Sequence, residues 1–305
     1  MKTRHVLMAV TITAVWGVNF SVIKIGLASV DPFVLAGIRF TLCALPAVFF
    51  IRKPDVPWRH LIAYGLVFGV GLWGAVTLGI KAGLSSGIAS LVLQVSAFVT
   101  ILLGAAVFRE RISRYQRAGF AIALLGLGCT AFITDGSVTA AGIALVLFGA
   151  VSWSVANIIL KKSAPKDVLG FLVWSSLFSP VPLFALDLAV NGTAGYTELA
   201  SHIDLAAVLS ILFQAYPNTV VAYAIWNWLL KEYPVSTVAP LSLLVPVFGL
   251  LGSVAIFGEQ LSATKLLCVA LIVAGLVVGL YGKRVATAIA APRRSPTEAN
   301  VRVDA

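Results

Sequence analysis

Trp16 and Asn19 stand three residues apart in AVWGVNFSVIK, and Trp153 and Asn157 stand four apart in AVSWSVANIILK. In a helix each pair shares one face. Gln94 has Ser90 and Phe98 one turn to either side, and Tyr223, Trp226 and Asn227 recur at helical spacing in QAYPNTVVAYAIWNW. Neutral hydrogen-bonding groups beside aromatic rings suit non-covalent recognition of a small solute. Bond-breaking chemistry has no comparable support: His5, His60 and His202 lie at the ends of apolar runs or in a loop, and no Asp or Glu sits in the middle of a run. Asp187 is near one end of its run. Cys43, Cys129 and Cys268 occupy different runs with no paired spacing, and no glycine-rich phosphate loop is present. No enzyme, metal or cofactor is therefore expected. Arg39 is the one charge deep in an apolar run. It can receive a substrate carboxylate in a bidentate contact, or reach Asp31, a helix end or the interface and lock packing.

The elements that must position these groups are set by composition. Sixty per cent of residues are hydrophobic, 11% are charged and the mean hydropathy is +1.00, against about 25% charged residues in ordinary soluble domains. The chain reads as a polytopic membrane protein. Ten apolar runs reach spanning length: Val6 to Leu27, Pro32 to Ile51, His60 to Ile80, Leu84 to Phe108, Arg117 to Thr134, Ala140 to Leu160, Leu169 to Val190, Leu205 to Leu230, Val235 to Phe257 and Thr264 to Gly282. They are continuously apolar instead of alternating, so the fold class is all-α. The first run is too long for a signal peptide and reads as a span.

A net charge of +10 would suggest nucleic acid in a soluble protein; here its distribution gives topology, and no nucleic-acid partner is expected. Of the 22 Lys and Arg residues, 18 collect on one face of the ten-run arrangement, while Lys24, Lys81 and Lys265 take the other. Both termini are then cytoplasmic. The polar stretch 285–305 reads as a disordered cytoplasmic tail.

The link VFRERIS, Val107 to Ser113, recurs as IFGEQLS, Ile256 to Ser262, with Glu110 and Glu259 offset by 149 residues. Trp16 and Lys24 match Trp153 and Lys161 at an offset of 137, so an insertion is expected in Asn191 to Asp204. Residues 1–135 and 136–284 form two five-helix repeats, and an odd helix number makes the second cross in the opposite sense. Such a pair can build one midplane site and expose it to either side in turn. Pro180, Pro182, Pro217, Pro240 and Pro246 are expected to bend helices around that site. Small residues four apart, Gly119 with Ala123 and Ala270 with Ala274, mark the fifth and tenth helices as packing helices.

AVWGVNFSVIKIGL followed by PFVLAGIRF, then GIASLVLQVSAFVTILLGA with its FRERIS link, and later VAPLSLLVPVFGLLGSVAIFGEQL, resemble the EamA family of the drug/metabolite transporter superfamily. The likeness runs from about Val6 to Gly282 and is closest to bacterial O-acetylserine/cysteine exporters. It implies a ten-helix transporter of the bacterial inner membrane that exports a small amino-acid-like metabolite. The wall residues it implies are Trp16, Asn19, Arg39, Gln94, Tyr223 and Trp226, to which the repeat adds Trp153 and Asn157. Tyr216, Pro217 and Asn218, and also Trp73, depart from the family pattern. Alternatives are export of another solute, such as an aromatic amino acid, a purine or a drug, or a channel or lipid translocase. The expected partners are a small metabolite and the lipid bilayer. Proton coupling and oligomeric state stay open.

Overall fold

The computed structural model describes residues 1–109, 111–233 and 235–290. Every described element is helical. Among the described residues, ten of the longer helical segments are α1 Thr3–Gly26, α2 Pro32–Phe49, α3 Trp58–Lys81, α4 Ser86–Phe108, α5 Arg114–Cys129, α6 Ala140–Ser163, α7 Val168–Asn191, α8 Leu205–Glu232, α9 Leu241–Phe257 and α10 Ala263–Ala290. Among the described residues, eight of these are long and apolar enough to cross a membrane; α5 and α9 are shorter. The chain is thus an all-helical membrane protein. Large apolar side chains such as Leu125, Phe148, Val181 and Leu209 stand exposed on its outside, where only lipid makes them affordable.

Side-chain caps start several helices after tight links. Ser85, Thr139, Asp167 and Asp204 each accept a backbone N–H three residues on, and Ser113 with Gln116 forms a reciprocal capping box. The expected insertion, Asn191 to Asp204, folds as a short helix, Ala194–His202. Helix α10 continues to Ala290, into the stretch expected to be disordered; residues 291–305 and Glu110 lie outside the described residues.

Among the described residues, four interruptions of the regular i→i−4 ladder fall in corresponding pairs. Wide π turns occupy Leu66–Gly74 in α3 and Gln214–Val221 in α8. Pro217 explains the second, since it removes one amide donor. In α4 the ladder tightens at Gln94 and Val95, where Gln94 N bonds Leu91 O at 3.0 Å and Ala97 N bonds Gln94 O at 3.0 Å. A tight 3₁₀ stretch, Ala239–Leu243, forms the start of α9. Pro180 opens the second half of α7 after a turn at Leu177 to Ser179.

Packing follows a paired pattern: α1 packs on α8 and α9, α6 on α3 and α4, α2 on α7, and α5 on α10. The α5–α10 contact is made by glycine. A Cβ on Gly275 would stand 2.6 Å from Gly119 O and 2.7 Å from Ala123 N. Gly119 and Ala123 thus form the packing face as expected, but Ala270 and Ala274 point outward, and Gly275 with Gly279 takes their place. The reason is rotational: the two alanines lie on the face of α10 opposite buried Cys268 and Ile272.

At the end of the bundle opposite the N-terminus, polar side chains tie five segments together. Lys265, 1% exposed, donates to Glu259 and Asp135, both at 2.8 Å. Glu259 also accepts from Ser85 Oγ at 2.9 Å and from Ser253 Oγ. Ser86 bonds Ser253 at 3.1 Å and Ser21 at 3.2 Å. The turn after α9 brings Lys265, six positions on, back to Glu259. Hydrogen bonds from Lys265 and Ser137 hold the Asp135 carboxyl down to about 2, below its ordinary 3.8. A carboxylate depressed in the folded state stabilises above its unfolded value and loses that contribution as pH falls through its folded value. The Asp135 arm is therefore intact at neutral pH and weakens between about pH 4 and pH 2. Thermal melts should show Asp135→Asn less stable than wild type at pH 6, with the gap closing toward pH 2; a constant gap would remove this role.

Candidate functional site

Between the paired helices lies a cavity of about 410 Å³. Its wall reaches Leu160, Val168, Leu230 and Leu280, near the bundle end that carries the N-terminus, while the Lys265 clasp closes the other end. Each of these four paired interruptions contributes to it: Leu72 and Trp73 from α3, Gln94 from α4, Asn218 from α8, Ser242 and Leu243 at the start of α9. Interrupted ladders turn side chains and carbonyls toward the interior, where water or a ligand can meet them.

Six of the eight residues singled out from sequence line this cavity: Trp16, Gln94, Trp153, Asn157, Tyr223 and Trp226. Trp16 is fixed by a hydrogen bond from Nε1 to Asn218 O at 3.1 Å, and its ring lies 5.2 Å from that of Tyr223 and 5.0 Å from that of Trp226. On the α6 side, Asn157 Nδ2 donates to Thr100 Oγ1 at 3.3 Å, and Ser154 Oγ donates to Ser96 O at 2.9 Å across the α4 interruption. Asn19 and Arg39 do not line it. Asn19 is fully buried with neither side-chain atom bonded. Arg39, 1% exposed, donates from Nη2 to Thr219 Oγ1 at 3.0 Å and stacks its guanidinium 4.1 Å from the Trp73 ring centroid.

Several wall residues were not singled out. Tyr64 and Trp73 come from α3, whose wide turn has no proline to announce it. In the sequence Asn218 and Trp73 stand out only as departures from the family pattern, not as wall residues. Lys24 and Lys161, matched in the sequence as repeat partners, lie 4.3 Å and 4.4 Å from the ring centroids of Phe257 and Phe108.

The wall is mostly apolar and aromatic with a few convergent amides and hydroxyls, the make-up of a small-molecule site. Among the described residues no group of three or more His, Cys, Asp or Glu could hold a metal ion. Fold and cavity together define a polytopic helical membrane protein with an interior cavity of small-solute size.

Comparison with known proteins names the family. The profile of the EamA-like transporter family matches residues 3–132 and again residues 140–281. The chain is 40% identical over 291 residues to a probable amino-acid metabolite efflux pump of Salmonella typhimurium, covering 93% of this chain and 97% of that protein. It is 39% identical over 292 residues to the like-named protein of Escherichia coli K12, with the same coverage of 93% and 97%. A solved crystal structure, 19% identical, shares the fold with a TM-score of 0.62 over 93% of this chain and 99% of its own. The chain belongs to the EamA-like transporter family, and is a membrane transporter and not an enzyme.

Proposed function

We propose that the protein is an inner-membrane, alternating-access exporter of a small amino-acid-like metabolite, of the O-acetylserine and cysteine class. The observation that carries this reading is the cavity itself, in which Trp16, Gln94, Trp153, Asn157, Tyr223 and Trp226 converge from four helices. The names of the relatives, probable amino-acid metabolite efflux pumps, support the same substrate class.

In this reading α1 to α5 and α6 to α10 are inverted repeats, all ten crossing the membrane with both termini cytoplasmic. The paired irregularities support it: the π turns begin 148 residues apart, at Leu66 and Gln214, and the tightened turns at Gln94 and Leu243 are 149 apart. Packing supports it too, because α1 meets α8 and α9 as α6 meets α3 and α4. Exchanging the halves turns one set of contacts into the other. The cavity then reaches toward the cytoplasm while the Lys265 clasp seals the outer side, the loading state of an exporter.

The test is uptake of labelled O-acetylserine and cysteine into proteoliposomes, with and without a pH gradient, beside phenylalanine, adenine and a cationic dye. Gln94→Ala is expected to cut transport at least about tenfold while the protein stays folded, since one lost hydrogen bond to a desolvated solute is worth that much. Unchanged uptake in this variant removes Gln94 from the site. Preference for phenylalanine would favour the aromatic-substrate reading that the ring-rich wall also fits.

A further inference from the structure

The cavity has a polar pole that the wall residues above leave unexplained. Trp73 is 8% exposed and its Nε1 has no hydrogen-bond partner. Asn218 is 2% exposed and its Oδ1 has none. Both residues border the cavity, with these two atoms lying just beneath its surface. Directly behind them stands Arg39, whose Nε is also without a partner and with which no carboxylate pairs among the described residues. The groups are contiguous: the guanidinium stacks on Trp73, and its single hydrogen bond goes to Thr219, the neighbour of Asn218. Arginine stays charged at any physiological pH.

Each of these features is costly in an empty site. A buried polar atom without a partner forfeits its hydrogen bond, and a buried cation without a counter-charge is worse. Their convergence on one pole of a cavity points to a ligand that completes them. We propose that this pole binds the charged head group of an α-amino acid: the carboxylate accepts from Trp73 Nε1, and the ammonium donates to Asn218 Oδ1. Arg39 acts through the indole as a positioning residue. Its charge on the ring face makes the N–H a stronger donor and sets a positive potential where the carboxylate arrives. The ammonium meets the faces of Trp16, Tyr223 and Trp226, which favour a cation. The amino-acid side chain is left to the Gln94 and Asn157 region of the wall.

This rests on the amino-acid reading above and goes further, because it makes a free carboxylate obligatory. The experiment compares O-acetylserine, cysteine and phenylalanine with their methyl esters, by shift of melting temperature in detergent and by competition for uptake into proteoliposomes. Wild type is expected to favour acid over ester by at least about tenfold, the worth of a charge-assisted hydrogen bond. Trp73→Phe keeps the ring and its stacking but deletes the donor, and should bring the ratio to about two or less. Arg39→Met should do the same, and Arg39→Lys, which keeps the charge, should retain most of the preference. A merely structural role for either residue would lower stability and leave the ratio unmoved. Equal binding of acid and ester by wild type overturns the proposal while leaving an amino-acid transporter. Full preference in both Trp73→Phe and Arg39→Met also overturns it. If wild type binds neither acids nor esters, the amino-acid reading itself fails and the proposal with it.

Discussion

Gly275→Leu is expected to abolish folded protein. At this point α5 and α10 touch through backbone, so the new Cβ would meet Gly119 O and Ala123 N at 2.6 Å and 2.7 Å. A side chain can swing away from an intruding methyl group; a helix backbone cannot. The two helices must separate along the whole face, and in lipid there is no hydrophobic drive to reunite them, because association there depends on close packing. Overpacking of a core commonly costs about 1–3 kcal/mol, and a glycine-to-glycine helix contact belongs at the top of that range or beyond it. Gly128→Leu is a control on α5, where nothing stands within 4 Å of the added atom. Size-exclusion profiles of the two variants in detergent check the claim. A sharp, wild-type peak for Gly275→Leu would mean that the pair is not the packing contact it looks like.

Lys265→Met carries the second large effect. The lysine is 1% exposed and its Glu259 partner 9%, so the substitution leaves a nearly buried carboxylate facing Asp135 with no cation between them. Removing one partner of such a pair costs about 3 kcal/mol or more, well above the value of a surface ion pair. The melting temperature should drop by several degrees, with loss of transport because five segments lose their common tie. Adding Glu259→Gln should recover part of the stability, since the orphaned charge is then gone. Equal melting curves for wild type and Lys265→Met would show that solvent already reaches the clasp. The Asp135 bridge, 41% exposed on the acid's side, is the weaker of the two and adds little to this cost.

How much of this was readable in advance depends on what each feature needs. Spans need only length and hydropathy, and the runs beginning at Val6 and Ala140 became helices beginning at Thr3 and Ala140. The polar and aromatic pairs need only helical period, and six of those residues meet at one cavity. Arg39 was readable as a buried charge but not its neighbour: nothing local tells that Trp73, thirty-four positions on, lies over it. The interruptions at Leu66–Gly74 and at Gln94 carry no proline; beside the first Gly65 lies against the Ser175 carbonyl, and beside the second Ser154 donates to the Ser96 carbonyl. Neighbours of this kind are set by the tertiary fold. The Ala270 and Ala274 assignment failed for a related reason, because small residues occur on both faces of α10 and only the partner helix decides which is used.

One property of the cavity wall extends beyond transport. Four of the seven tryptophans, Trp16, Trp73, Trp153 and Trp226, border the same 410 Å³. Ultraviolet emission from this chain is therefore weighted toward the cavity interior, and its wavelength and quenching become an intrinsic, label-free gauge of what occupies that space.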